Sequence, residues 1–149
     1  MTVITRFLLA TFSGAGVILS SYLTALSFRP QTACVTDLFS CEAALTSEYS
    51  KIVGVIPLAA LGVAWFSVAI GLSVASFIKP ISPRPFMLWA IIGVLGIPPL
   101  LYIEVFLIDA ICLLCTVAHA LGGIILGLSI IYRHQVVLAE RRIQSSRGY

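Results

Sequence analysis

The chain alternates long apolar runs with short polar breaks. A helix needs roughly 20 mostly apolar residues to cross a bilayer, and four runs meet that length: about residues 4–28, 52–78, 86–103 and 110–132. None has the alternating pattern of a membrane barrel strand. Backbone groups in lipid must bond within their own segment, so each run is expected to be a helix. The breaks differ in kind. Residues 29–51 form a polar loop with two cysteines, Pro30 and the acids Asp37, Glu42 and Glu48. Residues 79–85 form a turn stiffened by Pro80, Pro83 and Pro85, which no helix crosses. Residues 104–109 make a very short link, and residues 133–149 a polar, basic tail. Within the loop, Ser40 reads as an N-cap and residues 41–50 as a short helix with Ala44, Leu45 and Tyr49 on its apolar side.

Composition agrees with that pattern. The 149 residues are 60% hydrophobic and 10% charged, whereas a soluble domain carries about 25% charged residues. A lipid bilayer is the natural solvent for such a chain. The first run exceeds the ~7–15-residue core of a secretory signal, and three more follow it, so it reads as a retained helix. The expected architecture is all-α: one integral membrane domain, a bundle of four transmembrane helices, with a short extracytoplasmic loop helix between spans one and two.

Charge placement sets the expected orientation. Of nine basic residues, seven (Arg6, Lys79, Arg84, Arg133, Arg141, Arg142 and Arg147) share one side, and Arg29 and Lys51 lie on the other. The positive-inside rule then puts both termini in the cytoplasm and the cysteine loop outside a cell membrane crossed several times. The basic residues sit at span ends and in the tail and form no basic face, so nucleic acid is not an expected partner.

The chemistry lies in four cysteines. Cys112 and Cys115 open the fourth span, three residues apart on one helical face, where two sulfurs can close a small disulfide ring. Asp109 reads as the N-cap of that helix, and the helix start favours the thiolate, the species that attacks. Cys34 and Cys41 lie in the loop at the same membrane face. Half of a zinc site, inert burial or a static staple are the alternatives, and a six-residue spacer is poor for zinc. Two dithiols on one face suit thiol–disulfide exchange, because a mobile pair can visit two partners in turn. A dithiol at the lip of a helix bundle also suits a lipid-soluble acceptor such as a quinone. His119 lies one helical turn beyond Cys115, positioned to donate to a quinone carbonyl or to bond a neighbouring helix. Pro98 and Pro99 interrupt span three and are expected to kink it. Trp65, Trp89 and Tyr102 either line a ring pocket or face lipid, and Gly93 and Gly96 allow close helix packing.

Taken together, Cys34, the stretch CEAALTSEYSKIVGVIP from Cys41 to Pro57, and the Cys112/Cys115 pair resemble the vitamin K epoxide reductase family. The arrangement of Cys41, Ser47 and Tyr49 is similar to that family's loop helix, and Gly54 to Pro57 to the lead-in of microbial members. The resemblance implies a thiol:quinone oxidoreductase without metal. Cys34 would meet the partner thiol, Cys41 would exchange with Cys112, and Cys115 would stand beside the quinone with His119. Ser47 would help set the loop at the quinone site. Some members carry a fused thioredoxin-like domain. This chain ends at Tyr149, so the expected partner is a separate thioredoxin-like protein or secreted protein thiols. Two positions depart from the family: no Asn opens span two, and His119 stands where animal members have tyrosine. They point to a respiratory quinone (menaquinone, ubiquinone or similar) in place of vitamin K epoxide. The competing readings are a DsbB-like quinone-dependent disulfide generator, whose cysteine pair would sit near the first outer loop, and a non-enzymatic membrane bundle with structural disulfides.

Overall fold

A computed structural model describes residues 2–28, 44–45, 47–52, 54–79, 82–109 and 111–147. Four helices dominate: α1 (Thr2–Phe28), α2 (Leu58–Ile78), α3 (Pro83–Tyr102) and α4 (Leu113–Arg147). All four are long and apolar enough to cross a membrane. Large side chains such as Ile18, Ile78, Leu95 and Phe106 stay well exposed, which suits lipid contact and not water. The all-α four-helix expectation therefore holds.

The helices run up and down. The start of α1, the end of α2, the start of α3 and Tyr132 of α4 meet at one end, around Leu9, Phe66, Phe86 and Ile125. Arg6 ties this end together. Its guanidinium donates to the Ser76 carbonyl at 2.9 Å and to the Tyr132 hydroxyl at 3.2 Å, and lies 5.4 Å from the Tyr132 ring centre. Small residues bring the helices close: a side chain at Gly16 would collide with the Phe66 ring, and Gly62 faces Ser20. At the other end, Leu23 and Leu26 of α1 gather with Ala44, Leu45 and Cys112.

Several boundaries differ from the sequence reading. The second apolar run begins at residue 52, but α2 begins at Leu58. Lys51–Ile52 (β1) pairs antiparallel with Ile56–Pro57 (β2) across a turn in which Gly54 has φ 74°. Glycine enters that left-handed region without steric cost. The hairpin is apolar, so hydropathy alone merges it with the helix. Helix α3 continues through Pro98 and Pro99 and then widens into a π-helical turn, Ile103–Leu107, closed by the Ile108 N–H on the Ile103 carbonyl at 3.0 Å. Glu104, expected in a link, is therefore part of a helical turn and buried. Asp109 was expected to start the fourth helix. Its φ of 52° instead ends the helical run before it, in the left-handed conformation common just past a helix end. Helix α4 continues through the residues read as a polar tail. Its 35 residues extend about 52 Å, well beyond a hydrocarbon core of about 30 Å.

Candidate active site at the cysteine end of the bundle

Cys112 supplies the missing cap of α4. Its carbonyl accepts the Thr116 N–H at 3.0 Å, the first bond of the helix, and its Sγ accepts the Cys115 N–H at 3.3 Å. Those two bonds are what an N-cap residue makes, here with sulfur in the place of the usual oxygen. A backbone N–H aimed at sulfur at a helix start is complementary to negative charge on that sulfur. Cys112 is fully buried, while Cys115, three residues on, is half-buried.

Cys115 lines a half-open cavity of ≈ 290 Å³ whose walls come from all four helices and the loop. Helix α4 contributes Cys115, Ala118, His119 and Gly122; α1 contributes Ser20, Leu23 and Ser27. The cavity lies under Ala44 and Leu45, both about 5% exposed, which also touch the cluster around Cys112. Ser50 holds this segment through its hydroxyl, which donates to the carbonyls of Leu45 and Ser47 at 2.9 and 2.6 Å. Tyr49, expected on the buried side, is 55% exposed and reaches only the rim, because the chain there tightens into a short 3₁₀ turn at Glu48–Ser50.

The two tryptophans build one wall. The indole N–H of Trp65 donates to the Trp89 carbonyl at 3.2 Å, and that of Trp89 to the Trp65 carbonyl at 3.0 Å. Their rings stack 6.5 Å apart at 11°. This reciprocal clasp joins α2 to α3, which otherwise meet sparsely. A side chain at Gly93 would strike the Trp65 ring, whereas at Gly96 it would meet nothing within 4 Å. Gly93 thus permits close packing, and Gly96, on the same helical face, leaves space in the cavity it lines. Tyr102 is exposed and stacks on Phe106.

The sequence-derived residues are distributed as follows. Cys112 and Cys115 open α4 side by side, and His119 shares the cavity with Cys115. Ser47 does not line the cavity; its hydroxyl accepts the Tyr49 N–H at 3.2 Å and so caps the turn beneath the loop. Cys34 and Cys41 lie outside the described residues, as does Ser40. Among the described residues no three His, Cys, Asp or Glu side chains gather as a metal site. Glu104 is the site residue that sequence reading missed. It lines the cavity, is 8% exposed, and its carboxyl group hydrogen-bonds the Cys115 side chain and lies within electrostatic reach of Cys112. A lone acid at the end of an apolar span, shortly before the cysteine pair in sequence, was the available signal.

The walls suit a quinone ring. They are mainly apolar, and two buried polar atoms, His119 Nδ1 and Glu104 Oε2, have no hydrogen-bond partner among the described residues. Apolar sites with a few orienting polar groups are how proteins hold flat, uncharged ligands. The volume of ≈ 290 Å³ stands just below the ~300–1,000 Å³ usual for ligand sites and is sufficient for a small ring.

Fold and site together define a protein of four membrane-spanning helices in which the Cys112 and Cys115 thiols open the last helix and Cys115 lines a mainly apolar pocket. The sequence model of the vitamin K epoxide reductase family matches residues 7–130, and the chain belongs to that family. It is accordingly a membrane oxidoreductase that links thiols to quinones. No curated protein matches the chain.

Proposed function

We propose that this protein forms disulfides in partner proteins and passes the electrons to a membrane quinone through Cys112 and Cys115. The observation that carries this reading is a single cavity in which Cys115 and His119 share a wall, under a loop segment resting on Cys112. Cys41 precedes Ala44 by three residues, a tether of at most about 11 Å when fully extended. That tether favours exchange between Cys41 and Cys112.

The chain's own steps follow. A partner dithiol, from a thioredoxin-like protein or a secreted protein, attacks the Cys34–Cys41 disulfide and leaves oxidised. The reduced Cys41 then attacks the Cys112 sulfur of the Cys112–Cys115 disulfide, giving a Cys41–Cys112 mixed disulfide and a Cys115 thiolate in the cavity. Cys34 resolves the mixed disulfide and leaves Cys112 and Cys115 reduced. A bound quinone (menaquinone, ubiquinone or similar) supplies the two-electron acceptor. His119 Nδ1 and the apolar walls orient the ring and exclude water. The Lys and Arg bias favours both termini on the cytoplasmic side and the cysteine pairs on the outer face, with Ser47 holding the loop over the site.

The test is quinone reduction by purified protein with a dithiol donor. Cys115→Ala should abolish turnover while thermal unfolding still reports a folded bundle; retained turnover defeats the reading. Cys115→Ser should also trap a covalent Cys41–Cys112 species, identifiable by peptide mass.

A further inference from the structure

Oxidising a dithiol releases two protons with its two electrons, and the cavity must handle both. The titratable groups facing it among the described residues are Glu104 beyond α3, Cys115 and His119 on α4, and Tyr49 at the rim; α1 and α2 contribute none. His119 shares the cavity, yet its Nδ1 has no hydrogen-bond partner among the described residues. Glu104 is better placed. One side of its carboxyl group engages the Cys115 thiol. The other oxygen, Oε2, is buried and has no hydrogen-bond partner among the described residues, and Glu104 lines the cavity. A carboxyl group buried in an apolar span is costly to keep, and this one sits in a π-helical turn, a distortion frequent at functional sites.

We propose that Glu104 is the proton carrier of the Cys112–Cys115 pair, taking the thiol proton of Cys115 and handing it on into the cavity. This rests on the thiol:quinone reading above. The Glu104 carboxylate accepts the Cys115 proton as the Cys115 sulfur becomes a thiolate. Glu104 releases that proton toward the acceptor's oxygen. It then takes the Cys112 proton as the Cys112–Cys115 S–S bond forms and two electrons pass from the pair to the quinone, and it hands this second proton on by the same route. Two thiols and one quinone become one disulfide and one quinol, with two electrons and two protons transferred. Glu104 touches a reacting sulfur and is in this sense a catalytic residue.

The test compares wild type with Glu104→Gln, Glu104→Asp and His119→Gln. General acid–base groups contribute typically ~10²–10⁴-fold, so Glu104→Gln should lower kcat for quinone reduction by about that factor, with KM for quinone little changed. An unchanged kcat overturns the proposal. The second readout needs no quinone. With Cys34 and Cys41 replaced by Ala and Cys112 by Ser, the rate of Cys115 alkylation is followed against pH. A Glu104 carboxyl bonded to the thiol gives a profile with an inflection besides that of the thiol. That inflection should vanish in Glu104→Gln and persist in Glu104→Asp and in His119→Gln. A Glu104→Gln profile that superimposes on wild type, or loss of the inflection in His119→Gln alone, overturns the proposal. If Glu104→Gln does not fold, Glu104→Asp decides alone: a single inflection there overturns the proposal. A wild-type protein inert toward quinone but showing the Glu104-dependent inflection defeats the proposed function and leaves the Glu104–Cys115 proton link standing.

Discussion

Gly96 offers a way to separate stability from quinone binding. In Gly96→Leu the new side chain enters a space with no atom within 4 Å of its Cβ, on the cavity face of α3. Removing a helix-interior glycine should stabilise α3 by about 0.7 kcal/mol, since glycine costs ~0.8–1.0 kcal/mol relative to alanine and leucine ranks near alanine. The same four carbons occupy part of a ≈ 290 Å³ cavity. One misplaced methylene in an apolar pocket costs about 1–3 kcal/mol, or ~10–200-fold in kcat/KM, so the variant should lose at least about tenfold, mainly through KM. The paired change is Gly93→Ala, which adds one methyl against the Trp65 ring. Moving that ring breaks the Trp65 indole bond to the Trp89 carbonyl, worth ~0.5–1.5 kcal/mol net, and disturbs the Trp65–Trp89 stacking, worth ~0.5–1.5 kcal/mol; together they outweigh the helix term by on the order of 1 kcal/mol. The larger side chain should thus be tolerated by the fold at 96 and the smaller one resisted at 93. The assays are thermal unfolding in detergent and steady-state quinone reduction. Gly96→Leu with unaltered KM would refute the assignment of this cavity as the acceptor site.

Further expectations follow from other groups. Cys112→Ala removes the cap of α4 and should destabilise the protein by ~0.5–2 kcal/mol, whereas Cys112→Ser retains a capping oxygen and should unfold near wild type; equal melting of the two would contradict the capping role. Arg6→Met deletes the bonds to Ser76 and Tyr132 and should cost about 2 kcal/mol, given ~1.5–3 kcal/mol for hydrogen bonds to charged groups. Its kcat should not change, because that tie lies at the far end of the bundle from the cysteines. Cys34→Ala should spare a small dithiol donor more than a protein donor, and equal loss with both donors counts against a shuttle role.

The helices were legible because lipid imposes a length and a polarity that hydropathy reads directly. Their ends were less so. The six residues before α2 are apolar, yet Gly54 and Pro57 turn them into a hairpin, and no helical period distinguishes the two states in so short a stretch. Residues 133–147 carry charge and so read as a tail. They contain no proline or glycine before Gly148, Gln135 accepts the Thr5 hydroxyl of α1, and Val136 packs against the cluster around Leu9 and Phe86, so α4 continues. Cys112, Cys115 and His119 were visible from spacing alone. Glu104 was not, because its value depends on a π-helical turn that carries it to the Cys115 sulfur. The Trp65–Trp89 clasp likewise joins residues 24 apart, a pairing that no local pattern encodes.

The Cys112 sulfur that begins α4 is also the atom that changes bonding partner in the proposed relay. Helical order at Leu113–Cys115 and oxidation state then cease to be independent variables. Each exchange at that sulfur perturbs the anchoring of the longest rod in the molecule, and amide exchange at its first residues becomes an intrinsic gauge of how far turnover has progressed.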